Sequence, residues 1–156
     1  MQNTTWQNLI PEGQAQEDFG FCGFYVRNFK DTSLQTLQII ALNTNLYYRT
    51  NITTSDPCSQ LIWLENKLDE ARNSNKKVIV SGHVPPGFYE RKYIGPFFTN
   101  GAGSVANDLF VNLVNKYSDV VSNYIFLGCA TLEGSLYSCI FFCCLPFLNQ
   151  RPNVAS

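Results

Sequence analysis

The chain has 156 residues, 45% hydrophobic and 15% charged, with a formal net charge of −1. That length suits one modest domain or part of a larger one, and the apolar content is enough to bury a core. There is no basic field, long Lys/Arg run or charged tail, so a nucleic acid polymer is not an expected partner.

Residues 1–20, "MQNTTWQNLIPEGQAQEDFG", read as a polar loop. They lack the basic start and apolar middle of a signal peptide, so none is expected in the chain as it stands. Asn3 and Asn51 each open an N-x-[ST] tripeptide and are the glycosylation candidates of a secreted protein.

Four runs read as strands: "FCGFYVRNF" at 21–29, "TLQIIALNTN" at 36–45, "KKVIVSGH" at 76–83 and "DVVSNYIFLG" at 119–128. Each is β-branched or aromatic and ends at Asn, Gly or Ser. "LQIIAL" and "VIV" are apolar at consecutive positions, which predicts strands buried on both faces. The segment between them predicts a helix. Ser55 or Asp56 caps it, Pro57 suits its first turn, and Leu61, Leu64, Leu68 and Ala71 share one face before Asn73-Ser74-Asn75 ends it. Asp56, Glu65, Asp69 and Glu70 read as cap and solvated-face residues.

A second helix follows in "SVANDLFVNLVNKYSD", with Ala106, Leu109, Leu113 and Tyr117 on one face and Phe110 and Val114 beside them. Alternating strands and helices predict an α/β layered fold. The stretch at 88–104 is a long loop. Its aromatics, Phe88, Tyr89, Tyr93, Phe97 and Phe98, either line a substrate groove or pack the loop.

The tail carries an apolar block at 136–148, short of the ~20 residues a membrane-spanning helix needs, so no transmembrane span is expected. The six cysteines are Cys22, Cys58, Cys129, Cys139, Cys143 and Cys144. Their clustering toward the end assigns no pairing. Cys139, Cys143 and Cys144 could form a thiolate cluster, but adjacent cysteines in a Phe-rich run are ordinarily buried hydrophobes.

His83, the single histidine, follows the run Val78-Ile79-Val80 and precedes Pro85-Pro86-Gly87. In open α/β sheets, ligand sites lie beyond the carboxyl ends of strands. A proline-stiffened turn that aims an imidazole suits a metal ligand or a general base; the plain alternative is a loop histidine beside a turn. Asn43 and Asn45 end the neighbouring strand, where they could orient ligands or simply make the turn.

"GHVPPG" after a hydrophobic strand resembles a metal motif of calcineurin-like metallophosphoesterases. With "GFY" at 23–25, "LQIIALNTNLYY" at 37–48, "NITTSDPCSQLIWLENKLDEA" at 51–71 and "KYSDVVSNYIF" at 116–126, the chain is similar to the acid sphingomyelinase-like phosphodiesterases. The "LNTNLYY" form resembles the type-3 branch. The resemblance implies the second half of a catalytic domain, a partial metallophosphoesterase sandwich over 21–126, with 1–20 a polar segment and 127–156 a divergent tail. It implies a secreted or lysosomal parent that uses two zinc ions, with His83 a ligand of one, to hydrolyse a nucleotide or phospholipid-headgroup phosphate ester.

The chain departs from that family's pattern in two places. The aspartate, histidine and asparagine ligand motifs expected before "GFY" are not in residues 1–20. After "YSDV", Cys129 and Thr131 stand where a Gly-His-x-His pattern places histidines, and threonine is a poor zinc ligand. The expectation is a fragment or isoform with an incomplete metal site and no catalytic residue of its own. Its rival is a truncated isoform acting as an interaction module.

Overall fold

The computed structural model describes residues 9–29, 31–47, 54–86, 105–132 and 135–143, with side chains described as far as Phe126. In chain order the elements are α1 (Gln14–Cys22), β1 (Tyr25–Asn28), β2 (Leu37–Ala41), α2 (Gln60–Asn73), β3 (Lys77–Gly82), α3 (Val105–Lys116), β4 (Val121–Leu132) and β5 (Ser135–Cys143). The strands form one sheet in the order β1-β2-β3-β4-β5. β2, β3 and β4 run parallel, while β1 and β5 are antiparallel edges. The fold is α/β, as the alternation of strands and helices predicts.

The register aligns Ile40, Val80 and Tyr124 across the three parallel strands. All three are buried, with Val78 and Phe126, in one core with Leu64 and Leu68 of α2 and Phe110 and Val114 of α3. Phe110 meets Tyr124 and Phe126 edge-on, each at 6.3 Å between ring centroids. Each such side chain contributes about 1.5–3 kcal/mol by leaving water, so this row anchors the sheet against its helices.

Burial along β2 and β3 alternates, which corrects the expectation of strands buried on both faces. Ile40, Val78 and Val80 are buried, whereas Leu37, Ile39, Ala41 and Ile79 are half-exposed. Consecutive aliphatic residues record strand propensity as well as burial, and here the core forms on one face. In α3 the inward stripe is Ala106, Phe110, Leu113 and Val114, continued by Tyr117. Leu109, expected on that face, is 43% exposed, and Asn107 is buried instead. One residue turns the helix by about 100°, so a stripe centred on Phe110 carries Leu109 away from the sheet.

The largest correction lies at the start. Residues 14–22 are helical rather than loop, and the strand expected from Phe21 begins at Tyr25. The N-cap is Gly13, which offers no capping side chain, and only Ala15 in α1 is buried. What holds the helix comes from outside it. Trp63 Nε1 donates to Asp18 Oδ2 at 3.2 Å, Phe24 packs on Trp63 at 4.5 Å between ring centroids, and a disulfide joins Cys22 to Cys58. Gly23 closes the helix in the left-handed region, at φ 83°.

β4 runs past its expected end to Leu132 and pairs antiparallel with β5, so the first part of the apolar block at 136–148 is strand. No helix among the described residues is long and apolar enough to cross a membrane. Asn3, Asn51 and the aromatic loop at 88–104 lie outside the described residues, as do the side chains of Cys129, Thr131, Cys139, Cys143 and Cys144.

Candidate functional site at two neighbouring strand exits

β2 and β3 are parallel neighbours, so their carboxyl ends emerge side by side. Ala41 pairs with Ser81, and Leu42 N–H donates to the Ser81 carbonyl at 2.8 Å just beyond the ladder. The turn after β2, Asn43–Tyr47, therefore lies against the turn after β3, Gly82–Pro86. Glycine is required at the junction. A Cβ on Gly82 would stand 2.7 Å from Thr44 Cγ2 and 3.1 Å from Phe126 Cε1.

The β2 exit is built from polar groups that are buried or partly buried. Gln60, the first residue of α2, is fully buried. Its Oε1 accepts from Asn43 N–H at 2.7 Å, and its Nε2 donates to Tyr47 Oη at 3.0 Å. The Tyr47 hydroxyl donates to Asp56 Oδ1 at 3.3 Å. Burial, which opposes the phenolate, and the nearby Asp56 carboxylate push the Tyr47 pKa far above the ordinary tyrosine value, against a smaller lowering by the Gln60 amide. Asp56 accepts from Leu61 N–H at 2.8 Å and Ile62 N–H at 3.3 Å, so it caps α2 from beyond a short turn in which Cys58 and Ser59 are left-handed. Asn43 Nδ2 donates to the Cys22 carbonyl at 2.9 Å, which ties the turn to the end of α1 beside the disulfide.

The β3 exit has the opposite character. His83 is exposed, while Val84 after it is buried. The backbone amides of both reach the fully buried Thr44 hydroxyl, at 2.9 Å and 2.7 Å.

His83 thus stands where the sequence places it, at the exposed mouth of a buried strand. Asn43 is a structural turn residue committed to Cys22, and Asn45 is exposed. Asp56 is a cap. Glu65 pairs with Lys116, Glu70 with Lys67, and Asp69 accepts from the Tyr117 hydroxyl at 2.6 Å. Among the described residues, no three His, Cys, Asp or Glu side chains gather where they could hold a metal ion. A zinc centre takes three or four ligands, so the described residues do not by themselves fit zinc.

Sequence reasoning missed Thr44, Gln60 and the Cys22–Cys58 link. Gln60 left a signal: it precedes Leu64 by four residues and so falls on the buried stripe of α2. Thr44 and the cysteine pair left none, since both depend on contacts distant in sequence.

No model of a known protein family matches the chain. Curated proteins do. Acid sphingomyelinase-like phosphodiesterase 3b of Homo sapiens is 37% identical over 92 residues, covering 57% of this chain and 19% of that protein. The human cyclic GMP-AMP phosphodiesterase SMPDL3A is 37% identical over 105 residues, covering 64% and 21%. Sphingomyelinase phosphodiesterase D of Dictyostelium discoideum is 31% identical over 123 residues, covering 76% and 26%. The matched stretch spans about a fifth to a quarter of the length of these relatives. Over that stretch, the chain is a relative of the acid sphingomyelinase-like phosphodiesterases.

Proposed function

We propose that the chain is part of a zinc-dependent phosphodiesterase, in which residues 21–126 supply one strand exit of a two-zinc centre and His83 is a ligand of one ion. The observation that carries this reading is an exposed imidazole at the carboxyl end of a parallel strand, in a chain similar to phosphodiesterases. The remaining ligands come from outside the described residues. The substrate is a phosphate ester, either a nucleotide or a phospholipid headgroup. The names of the relatives, a cyclic GMP-AMP phosphodiesterase and sphingomyelinase phosphodiesterases, support that class. The Cys22–Cys58 disulfide supports a secreted or lysosomal setting, where Asn51 and Asn3 would carry glycans.

A second reading, a non-catalytic interaction module, draws support from an open groove of about 370 Å³ between α1 and α2. Phe21 and Ile62 line it at 71% and 60% exposure.

The deciding experiment grafts residues 21–126 into a complete acid sphingomyelinase-like enzyme in place of the matching segment. The chimera should hydrolyse bis-p-nitrophenyl phosphate in a zinc-dependent way. His83→Ala should cost more than the ~10–100-fold typical of a residue that only supports a ligand. Asn73→Ala, at the exposed end of α2, should cost little. Equal activity of the two variants would refute the assignment of His83.

A further inference from the structure

We infer that Thr44 is the positioning residue of His83. The inference rests on the reading of His83 as a functional group, and it gives a role of its own to Thr44, which the resemblance includes only as part of "LNTNLYY". The sheet ladders end just before His83, with Ala41 paired to Ser81 on one side and Phe126 to Gly82 on the other. The next two backbone amides, of His83 and Val84, therefore have no strand partner. Buried backbone donors require acceptors. Both donate to a single atom, Thr44 Oγ1, at 2.9 Å and 2.7 Å. A hydroxyl has two lone pairs, and this one spends both on consecutive amides.

Thr44 can hold the turn because it is itself held. It is fully buried, and its neighbour Asn43 is fixed through N–H to Gln60 and through Nδ2 to the Cys22 carbonyl. Beyond Val84, Pro85 and Pro86 fix φ and restrict the residue before them. His83 is therefore pinned on its own amide and on the next, with stiff backbone following. A rigid backbone of this kind fixes the point and direction from which the exposed imidazole leaves the chain, and leaves the ring's own rotamer to what it binds. The close approach this needs exists only because Gly82 has no Cβ to meet Thr44.

The test uses the full 156-residue chain and the fact that it has one histidine, whose ring protons give a single assignable pair of NMR signals. Thr44→Val keeps the shape and removes the acceptor; Thr44→Ser keeps the acceptor. In the unaltered chain the His83 and Val84 amides should be protected from hydrogen exchange. In Thr44→Val their exchange should accelerate by at least about tenfold, the size expected from losing a hydrogen bond, and the His83 ring signals should shift and broaden. Thr44→Ser should restore both. Three results overturn the inference: free exchange of these amides in the unaltered chain, loss of protection in Thr44→Ser, or Thr44→Val and Thr44→Ser giving the same ring signals and exchange. The first two need no folded valine variant. The zinc reading fails separately. If His83→Ala leaves the chimera fully active while Thr44→Val still loosens the turn, His83 is not a ligand and Thr44 still positions it.

Discussion

The turn after β2 is anchored by buried, hydrogen-bonded Thr44, Tyr47 and Gln60, whereas the turn after β3 exposes its imidazole and is held by its backbone. In the first, Gln60, Tyr47, Asp56 and Asn43 use their hydrogen-bonding capacity on one another and on the chain. In the second, the amides of His83 and Val84 are satisfied by Thr44, and the His83 side chain stays at the surface. Buried side-chain hydrogen bonds are concentrated in one exit and the exposed imidazole stands in the other, and a threonine joins them. Buried polar networks of this sort are costly to break because each stranded group loses both water and its partner.

The largest test removes the covalent tie of the β2 corner. Changing Cys22→Ser and Cys58→Ser together opens a link across 36 residues of sequence. The chain-entropy estimate for a loop of that size is about 4 kcal/mol of stability, read by urea denaturation. The His83 ring signals should be unchanged in the fraction that remains folded. If they move as much as the signals of α1, the two exits are one unit and the contrast between them is false.

Next comes Gln60→Leu, which keeps the volume, strands Asn43 N–H and takes from Tyr47 Oη the amide that donates to it, leaving its bond to Asp56. Each buried group left without its partner costs about 1–3 kcal/mol. A loss below about 0.5 kcal/mol would mean that water replaces the amide and that the network is not what holds the turn.

A pH series isolates Tyr47. Burial raises its folded pKa above the ordinary value of 10.0. Its contribution is therefore fully present below about pH 10 and is lost as pH climbs beyond the unfolded value. Tyr117 is shifted the same way, also mainly by burial. Tyr47→Phe should thus reduce, not abolish, the fall in unfolding free energy between about pH 10 and 12. An unchanged slope in Tyr47→Phe would show that the Tyr47 hydroxyl does not report the burial of this exit.

Much of this was legible in the sequence, and the parts that were not share a cause. The β2–α2–β3 unit is written in local pattern, since Leu61, Leu64, Leu68 and Ala71 repeat at helical spacing and all four are buried. His83 was legible because one imidazole stands two residues before a Pro-Pro step, at the end of an apolar run. α1 was not, because its own residues supply no cap and almost no buried face; Trp63 and Cys58, far along the chain, hold it in place. Thr44 was not either. A threonine after a strand is ordinary, and only the neighbouring strand, closed in by Gly82, gives its hydroxyl two amides to accept from.

The smallest expected effect is the sharpest. His83→Ala removes an exposed ring while keeping the backbone amide that donates to Thr44. Surface substitutions of that kind usually change stability by no more than about 0.5 kcal/mol. The same substitution at Thr44 cuts both amide bonds and opens space beside Gly82 and Phe126, so it should cost at least about 1 kcal/mol. The comparison is made by denaturant unfolding of the two single variants and the double variant. If the His83 ring contributes nothing to packing, the double variant should match Thr44→Ala to within about 0.5 kcal/mol. If His83→Ala alone costs as much as Thr44→Ala, the imidazole is part of the fold, and the β3 exit is a structural corner like its neighbour rather than a place where a side chain is kept free for a metal.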